Sequence, residues 1–264
     1  MAKNYFNNKT AIITGASSGI GKATALALAE HGANVALGSR NIPALDSVAQ
    51  QIQSMGREVL VVPTDVTQQV QVENLVGQTI SRWGQVNILV VNAGQYIRSP
   101  ISQLTVPIME ASMAVNFYGG LYAILAVLPH MQVQDSGHIV IVCSMAAEVP
   151  VPPDAPYVAA KSALSGFGKV LRQELYRTGV NVSIIYPGRV DTPFVEGLQF
   201  HWLSAKIPPE TVAREIVRSI YRRKTEVIMV SLPGLMLHYL TISTPRIRDY
   251  LTRLFRLEGW EAQL

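Results

Sequence analysis

The chain has 264 residues, 48% of them hydrophobic and 15% charged, with a net charge of +4. That length can bury a large core, and that composition excludes a disordered or fibrous chain. Residues 1–200 carry twelve basic and twelve acidic side chains, so the whole excess lies in 201–264, at ten against six. A tail this mildly basic reads as helix surface, not as a nucleic-acid face. The single cysteine, Cys143, excludes an intrachain disulfide and fits a reducing compartment. It lies in an apolar run and reads as a small core residue. The first nine residues lack an apolar signal core. No run reaches the ~18 apolar residues of a membrane span; the nearest, 227–242, is interrupted by Pro233, Gly234 and His238. The expected location is cytoplasmic.

In chain order, short apolar runs at 10–14, 34–39, 59–62, 88–91, 138–142, 180–185 and 227–230 predict strands. Between them, helical patterns cover 21–31, 42–55, 70–83, 108–131, 157–177 and 209–222. Strands apolar on both faces belong in a parallel sheet covered on both sides. Their alternation with helices predicts an α/β, doubly wound parallel sheet of about seven strands. With no linker, repeat or low-complexity tract, residues 1–264 read as one domain with a basic C-terminal extension at about 231–264. The least regular stretch, 188–206, reads as a loop that could act as a lid.

The first run enters Thr14-Gly15-Ala16-Ser17-Ser18-Gly19-Ile20-Gly21 and then an Ala-rich helical segment. Glycines permit a tight turn and close backbone approach. The N–H groups at a helix start suit a pyrophosphate. In this strand–loop–helix setting a dinucleotide is the favoured ligand. Gly15-Ala16-Ser17-Ser18-Gly19 also fits Gly-x-Ser-x-Gly, the nucleophile elbow of serine hydrolases. That reading is disfavoured because no strand precedes it to supply an oxyanion loop. The second run ends Ser39-Arg40, where dinucleotide folds usually carry an acid for the ribose; Arg there suits a 2′-phosphate. NADP(H) is therefore favoured over NAD(H).

Tyr157 and Lys161 stand four apart, on one face of a helix. A neighbouring ammonium favours a phenolate, so the pair predicts a phenol drawn toward neutrality and able to exchange protons. Ser144 follows the fifth run, at a strand's carboxyl end where ligands of parallel sheets bind. The five histidines form no ligand-spaced cluster, so no metal is expected.

Together these residues resemble the short-chain dehydrogenase/reductase family from about residue 10 to 230. The marks are Thr14-Gly15-x-x-x-Gly19-x-Gly21, Asp65-Val66, Asn92-Ala93-Gly94, Asn116, Ser144, Tyr157-x-x-x-Lys161 and Pro187-Gly188 with Thr192. Val91 departs from the family's frequent second Asn. The resemblance implies a Rossmann-like fold and a nicotinamide-dependent oxidoreductase acting on a ketone or secondary alcohol. Tyr157 would be the acid/base, Lys161 would lower its pKa and hold the ribose, Ser144 would bind the substrate oxygen, and Asn116 would hold a water in a proton relay. Gly15, Ser17, Ser18, Gly19, Ile20, Gly21, Ser39 and Arg40 would line the cofactor site. So would Asp65, Val66, Asn92, Ala93, Gly94, Pro187, Gly188, Val190 and Thr192. The alternative of a nucleotide-sensing scaffold without turnover would not need the four catalytic residues together.

Phe194, Val195, Leu198, Phe200, Trp202 and Leu203, with the Val- and Pro-rich stretch 149–153, suggest an apolar substrate. The family is usually dimeric or tetrameric, and a homo-oligomer is expected. Residues 245–257 form an amphipathic basic helix candidate. For it, docking on a subunit or on the chain itself is preferred over contact with a membrane surface.

Overall fold

The computed structural model describes residues 5–199, 206–230, 244–254 and 260–261. Seven strands form one parallel sheet: β1 (Thr10–Thr14), β2 (Asn34–Ser39), β3 (Val59–Pro63), β4 (Ile88–Val91), β5 (Gly137–Val142), β6 (Val180–Pro187) and, numbered eighth in chain order, β8 (Glu226–Met229). Their spatial order is β3-β2-β1-β4-β5-β6-β8. The chain reverses direction of travel between β1 and β4, which leaves a crevice beyond their carboxyl ends, where a doubly wound sheet binds ligands.

The apolar runs pair without alternation because both faces are covered. Ile13, Val35, Val90, Val140 and Ile185 face α1 (Gly19–Glu30), α2 (Ile42–Ser54) and α7 (Pro209–Arg222). Ile12, Leu89, Ile139, Ile141 and Ile184 face α3 (Gln69–Trp83), α5 (Gly119–Val133) and α6 (Ala155–Glu174). Each buried aliphatic side chain contributes about 1.5–3 kcal/mol of transfer free energy, which is why β1, β4 and β5 are buried throughout. Local signals set the helix ends. The Asn41 side chain accepts from Ala44 N–H at 3.1 Å to start α2. Gly84, left-handed at φ 72°, stops α3.

The helix expected over 108–131 differs in detail. It comprises α4 (Val106–Met113), a wide turn at Ala114–Tyr118 with π-type hydrogen bonding, and α5. The Asn116 amide accounts for the wide turn, because it donates to the Ser112 carbonyl (3.1 Å) and to Gln95 (2.9 Å), competing with the backbone ladder. The joined helix also corrects the expectation about membrane-length segments. By length and composition alone, Val106–Val133 could cross a membrane, an 18-residue window of it reaching a mean hydropathy of 1.6. Its apolar residues Ala123, Ile124, Val127 and Met131 are instead buried against the sheet.

Within the expected loop 188–206, residues 188–197 contain no helix or strand longer than a 3₁₀ turn. Residues 200–205, including Phe200, Trp202 and Leu203, lie outside the described residues. A 3₁₀ turn at Pro193–Val195 leads to the short strand β7 (Leu198–Gln199), which pairs antiparallel with β9 (Trp260–Glu261) in the C-terminal extension. The amphipathic segment is helical as α8 (Pro245–Leu254), and Ile247, Tyr250 and Leu254 on it are exposed. Residues 255–257 of the expected helix lie outside the described residues.

Candidate active site

The glycine loop lies between β1 and α1. Gly15 (φ +66°) and Gly19 (φ +52°) adopt left-handed backbone conformations that a side chain disfavours. At Gly21 the reason is space: a Cβ would lie 2.2 Å from the Gly15 carbonyl oxygen and 2.5 Å from the Asn92 amide. Asn92 holds the loop by donating to the Thr14 carbonyl at 3.0 Å and the Gly15 carbonyl at 3.2 Å. The Thr14 hydroxyl in turn accepts from the N–H groups of Asn92 and Ala93. Ser18 precedes the first turn of α1 and, with Ile20, belongs to the rim of free N–H groups. This bare backbone cradle at a helix start fits a pyrophosphate.

Ser17 does not meet a base. Its hydroxyl pairs with the Ser39 hydroxyl at 2.9 Å, while His31 bonds the Ala27 carbonyl and His138 the Ser183 hydroxyl. The serine-hydrolase alternative therefore has no partner for its nucleophile among the described residues. Ser39 ends β2 and is followed by the exposed Arg40, whose guanidinium stands 4.0 Å from the Asp65 carboxylate. Burial pushes the Asp65 carboxyl upward, but hydrogen bonds from the Thr67 N–H and hydroxyl, aided by Arg40, hold it below the usual carboxylate range. Val66 packs beneath this corner, in contact with Gly119.

Beyond β4, Gly94 is the meeting point. A Cβ there would come 2.9 Å from the Asn116 carbonyl oxygen and 3.7 Å from both Lys161 Nζ and the Phe194 ring. Asn116 is buried, and its carbonyl oxygen accepts from the Gln95 N–H at 3.0 Å. Ser144 follows β5, and its hydroxyl accepts from the Ala146 N–H at 3.1 Å. Tyr157 and Lys161 are both buried on α6. The far side is bordered by the segment after β6: Pro187 ends β6, the Gly188 N–H bonds the Met229 carbonyl, and Val190 bridges to Ile207. Thr192 reaches back so that its methyl group would lie 2.9 Å from a Cβ on Gly19. Residues from both halves of the chain thus converge on one crevice.

The expected effect of Lys161 on Tyr157 needs correction. Burial pushes the Tyr157 phenol well above its ordinary value, while a hydrogen bond with the Ser144 side chain draws it back. Burial likewise lowers the Lys161 ammonium. Helical spacing does put the two on one face, but Lys161 Nζ donates to the Val142 carbonyl at 3.1 Å and lies 6.0 Å from the Tyr157 ring centre. Burial is the dominant influence on both groups. Burial similarly pushes the Cys143 thiol up, in keeping with an inert core residue.

Three residues beside Tyr157 carried no signal in the sequence. Tyr96 lies edge-on to Tyr157, with ring centres 5.0 Å apart, and its hydroxyl donates to the buried Asp154 carboxylate at 2.5 Å. Arg98 Nε pairs with the same carboxylate at 3.0 Å. Tyr96 and Asp154 are 58 positions apart, so no local spacing pattern could have joined them.

The comparisons with known proteins agree with this geometry. The family described as short chain dehydrogenase matches residues 9–200. An uncharacterized oxidoreductase of Staphylococcus epidermidis is 38% identical over 192 residues, covering 73% of this chain and 82% of the relative. One from Listeria monocytogenes is 41% identical over 191 residues, covering 72% and 77%. Among solved structures, a dehydrogenase/reductase from Sinorhizobium meliloti superposes with a TM-score of 0.79 at 29% identity, over 85% of this chain and 94% of that one. An alcohol dehydrogenase from the archaeon Thermococcus sibiricus, complexed with 5-hydroxy-NADP, gives 0.75 at 28%, over 85% and 97%. With a glycine cradle, a Ser–Tyr–Lys–Asn cluster and a family match over most of its length, the chain belongs to the short-chain dehydrogenases, which are nicotinamide-dependent oxidoreductases.

Proposed function

We propose that this oxidoreductase uses NADP(H) to interconvert an apolar ketone and its secondary alcohol, with Tyr157 as the general acid/base. The observation that carries this is the gathering of Asn116 and Lys161 around Gly94, with Tyr157 on the same helix as Lys161 and in hydrogen-bonding reach of Ser144, next to the glycine cradle. Gly15, Ser17, Ser18, Gly19, Ile20 and Gly21 would hold the pyrophosphate, and Asp65 and Val66 would meet the adenine. Asn92, Ala93 and Gly94 would border the nicotinamide side, with Pro187, Gly188, Val190 and Thr192 over the carboxamide. When bound, the nicotinamide supplies the hydride for reduction and accepts it for oxidation.

The protein's own part is the proton. In reduction, the Tyr157 hydroxyl gives its proton to the substrate oxygen, while Ser144 donates a hydrogen bond to that oxygen and orients it. A phenol whose ordinary value is raised by burial stays protonated and is ready to donate at neutral pH. Lys161 would hold the nicotinamide ribose and Asn116 would hold a water in a proton relay behind it; here the ammonium donates to the Val142 carbonyl and the Asn116 amide to the Gln95 carbonyl.

NADP(H) is favoured because Ser39, not an acid, ends β2 and Arg40 follows it. The related Thermococcus enzyme's NADP derivative agrees with this choice. Arg40 lies beside Asp65, but both are solvated enough for a phosphate to compete for the guanidinium. Exposed apolar side chains Tyr118 on the wide turn, Leu125 on α5 and Val170 on α6 favour a homo-oligomer. The test is nicotinamide absorbance against a broad carbonyl and alcohol panel. Turnover should depend on Tyr157 and favour NADPH; turnover that survives in Tyr157→Phe would refute the assignment.

A further inference from the structure

The pair Tyr96 and Asp154 has no part in the proton transfer described above, yet it adjoins Tyr157. Asp154 is 2% exposed and immediately precedes α6, but its side chain does not cap that helix. Its two oxygens are taken by the Tyr96 hydroxyl and Arg98 Nε, both from the loop after β4. The same two loops are tied by the Ser99 N–H, which donates to the Pro153 carbonyl at 3.0 Å. The polar end of Tyr96 is therefore spent inward on a buried carboxylate, and burial together with Asp154 pushes its phenol far above the ordinary value.

What remains of Tyr96 is its ring. The Arg98 guanidinium lies 5.7 Å from the ring centre, and the Phe194 ring stacks with it at 5.6 Å and 18°. Tyr157 meets Tyr96 at 81° and Phe194 at 63°, with centres 5.0 and 5.8 Å apart. Three rings, from the β4 loop, the segment after β6 and α6, thus pack as one aromatic wall that includes the Tyr157 ring. A buried ion pair holds one side of it, and Phe194, 36% exposed, forms the other.

We infer that Tyr96 is a specificity-determining residue that stacks with a flat aryl or conjugated group next to the substrate carbonyl, and that Asp154 is the residue positioning it. This rests on the oxidoreductase reading above and adds the substrate class. Rings attract rings beyond their buried area, through offset-stacked and edge-to-face contacts, whereas an alkyl chain gains area alone. A wall of aromatic rings with its hydroxyl turned away therefore discriminates between two ketones of equal carbon number.

The test compares acetophenone with 2-octanone at saturating NADPH, in wild type, Tyr96→Ala and Tyr96→Phe, with thermal melts to establish folding. The acetophenone-to-octanone ratio of kcat/KM should fall about tenfold in Tyr96→Ala, carried by KM and not by kcat. Tyr96→Phe keeps the ring and should retain most of the ratio, within about threefold. A ratio unchanged in folded Tyr96→Ala overturns the inference while leaving the Tyr157 chemistry intact. Should wild type reduce neither ketone, the broad panel decides the oxidoreductase reading, and binding decides the wall. Saturation-transfer contacts from acetanilide, with NADP+ present, should be seen in wild type and lost in Tyr96→Ala; their absence in wild type, or persistence in the variant, overturns it.

Discussion

The proposed nucleotide side and the proposed substrate side of the crevice are built on different principles. The cradle between β1 and α1 is backbone: glycines, free N–H groups and the Asn92 amide clamping two carbonyls. The proposed catalytic side is side chain: a buried phenol, ammonium, amide and carboxylate held by hydrogen bonds between elements far apart in sequence. A backbone site tolerates many surroundings but almost no added atom. A side-chain site tolerates small changes of volume but depends on each polar partner being satisfied. The two sides should therefore fail differently when altered.

The strongest separation is in chemistry without binding. Tyr157→Phe removes the proton donor and should lower kcat by about 10²–10⁴-fold. Nicotinamide fluorescence titration should show cofactor affinity nearly unchanged; a comparable loss of affinity would mean the two sides are not separable. Gly21→Ala is the reciprocal change. Its methyl group would meet the Gly15 carbonyl at 2.2 Å and the Asn92 amide at 2.5 Å. The expected cost is about 1–3 kcal/mol in a denaturant melt, with cofactor binding weakened far more than in Tyr157→Phe.

Acid sharpens the contrast away from the crevice, in the sheet that carries β5 and β6. His138 bonds the Ser183 hydroxyl at 2.7 Å, and burial, with Arg223 nearby, lowers its pKa from 6.5 to about 4. The unfolded chain takes up this proton below pH ~6.5, whereas the folded chain refuses it until about 4. Stability present above that window is lost as pH falls through it, at up to about 1.4 kcal/mol per unit. Melts of His138→Gln across the same range should show a flatter slope. The smallest effect is expected at the exposed rim. Arg40→Ala should weaken NADPH about tenfold and leave NADH affinity within about twofold, because only the 2′-phosphate contact is removed. Equal losses for both would remove Arg40 from cofactor choice.

Sequence patterns made the cradle visible because its causes are local. Glycine spacing after an apolar run, and a hydroxyl with an arginine where an acid is usual, need no knowledge of distant residues. The strands were legible for the same reason: unbroken apolar runs such as 139–142 are intelligible only if both faces are covered. The wide turn at Asn116 was not legible, since it depends on the side chain meeting Gln95, 21 positions away. Nor was the state of Tyr157. Four-residue spacing correctly put Lys161 on its helix face, but burial governs both groups and the ammonium turns to the Val142 carbonyl.

By itself, the sequence determined the doubly wound sheet and the glycine turn between β1 and α1, and it named the four side chains proposed for the chemistry, because periodicity and glycine geometry act over a few residues. Only the tertiary structure decided how those side chains are solvated and which neighbours enclose them. The Tyr96–Asp154–Arg98 group and the ring wall beside Tyr157 exist because separate loops are brought together at the ends of β4 and β5, and dielectric and contact are properties of that assembled space.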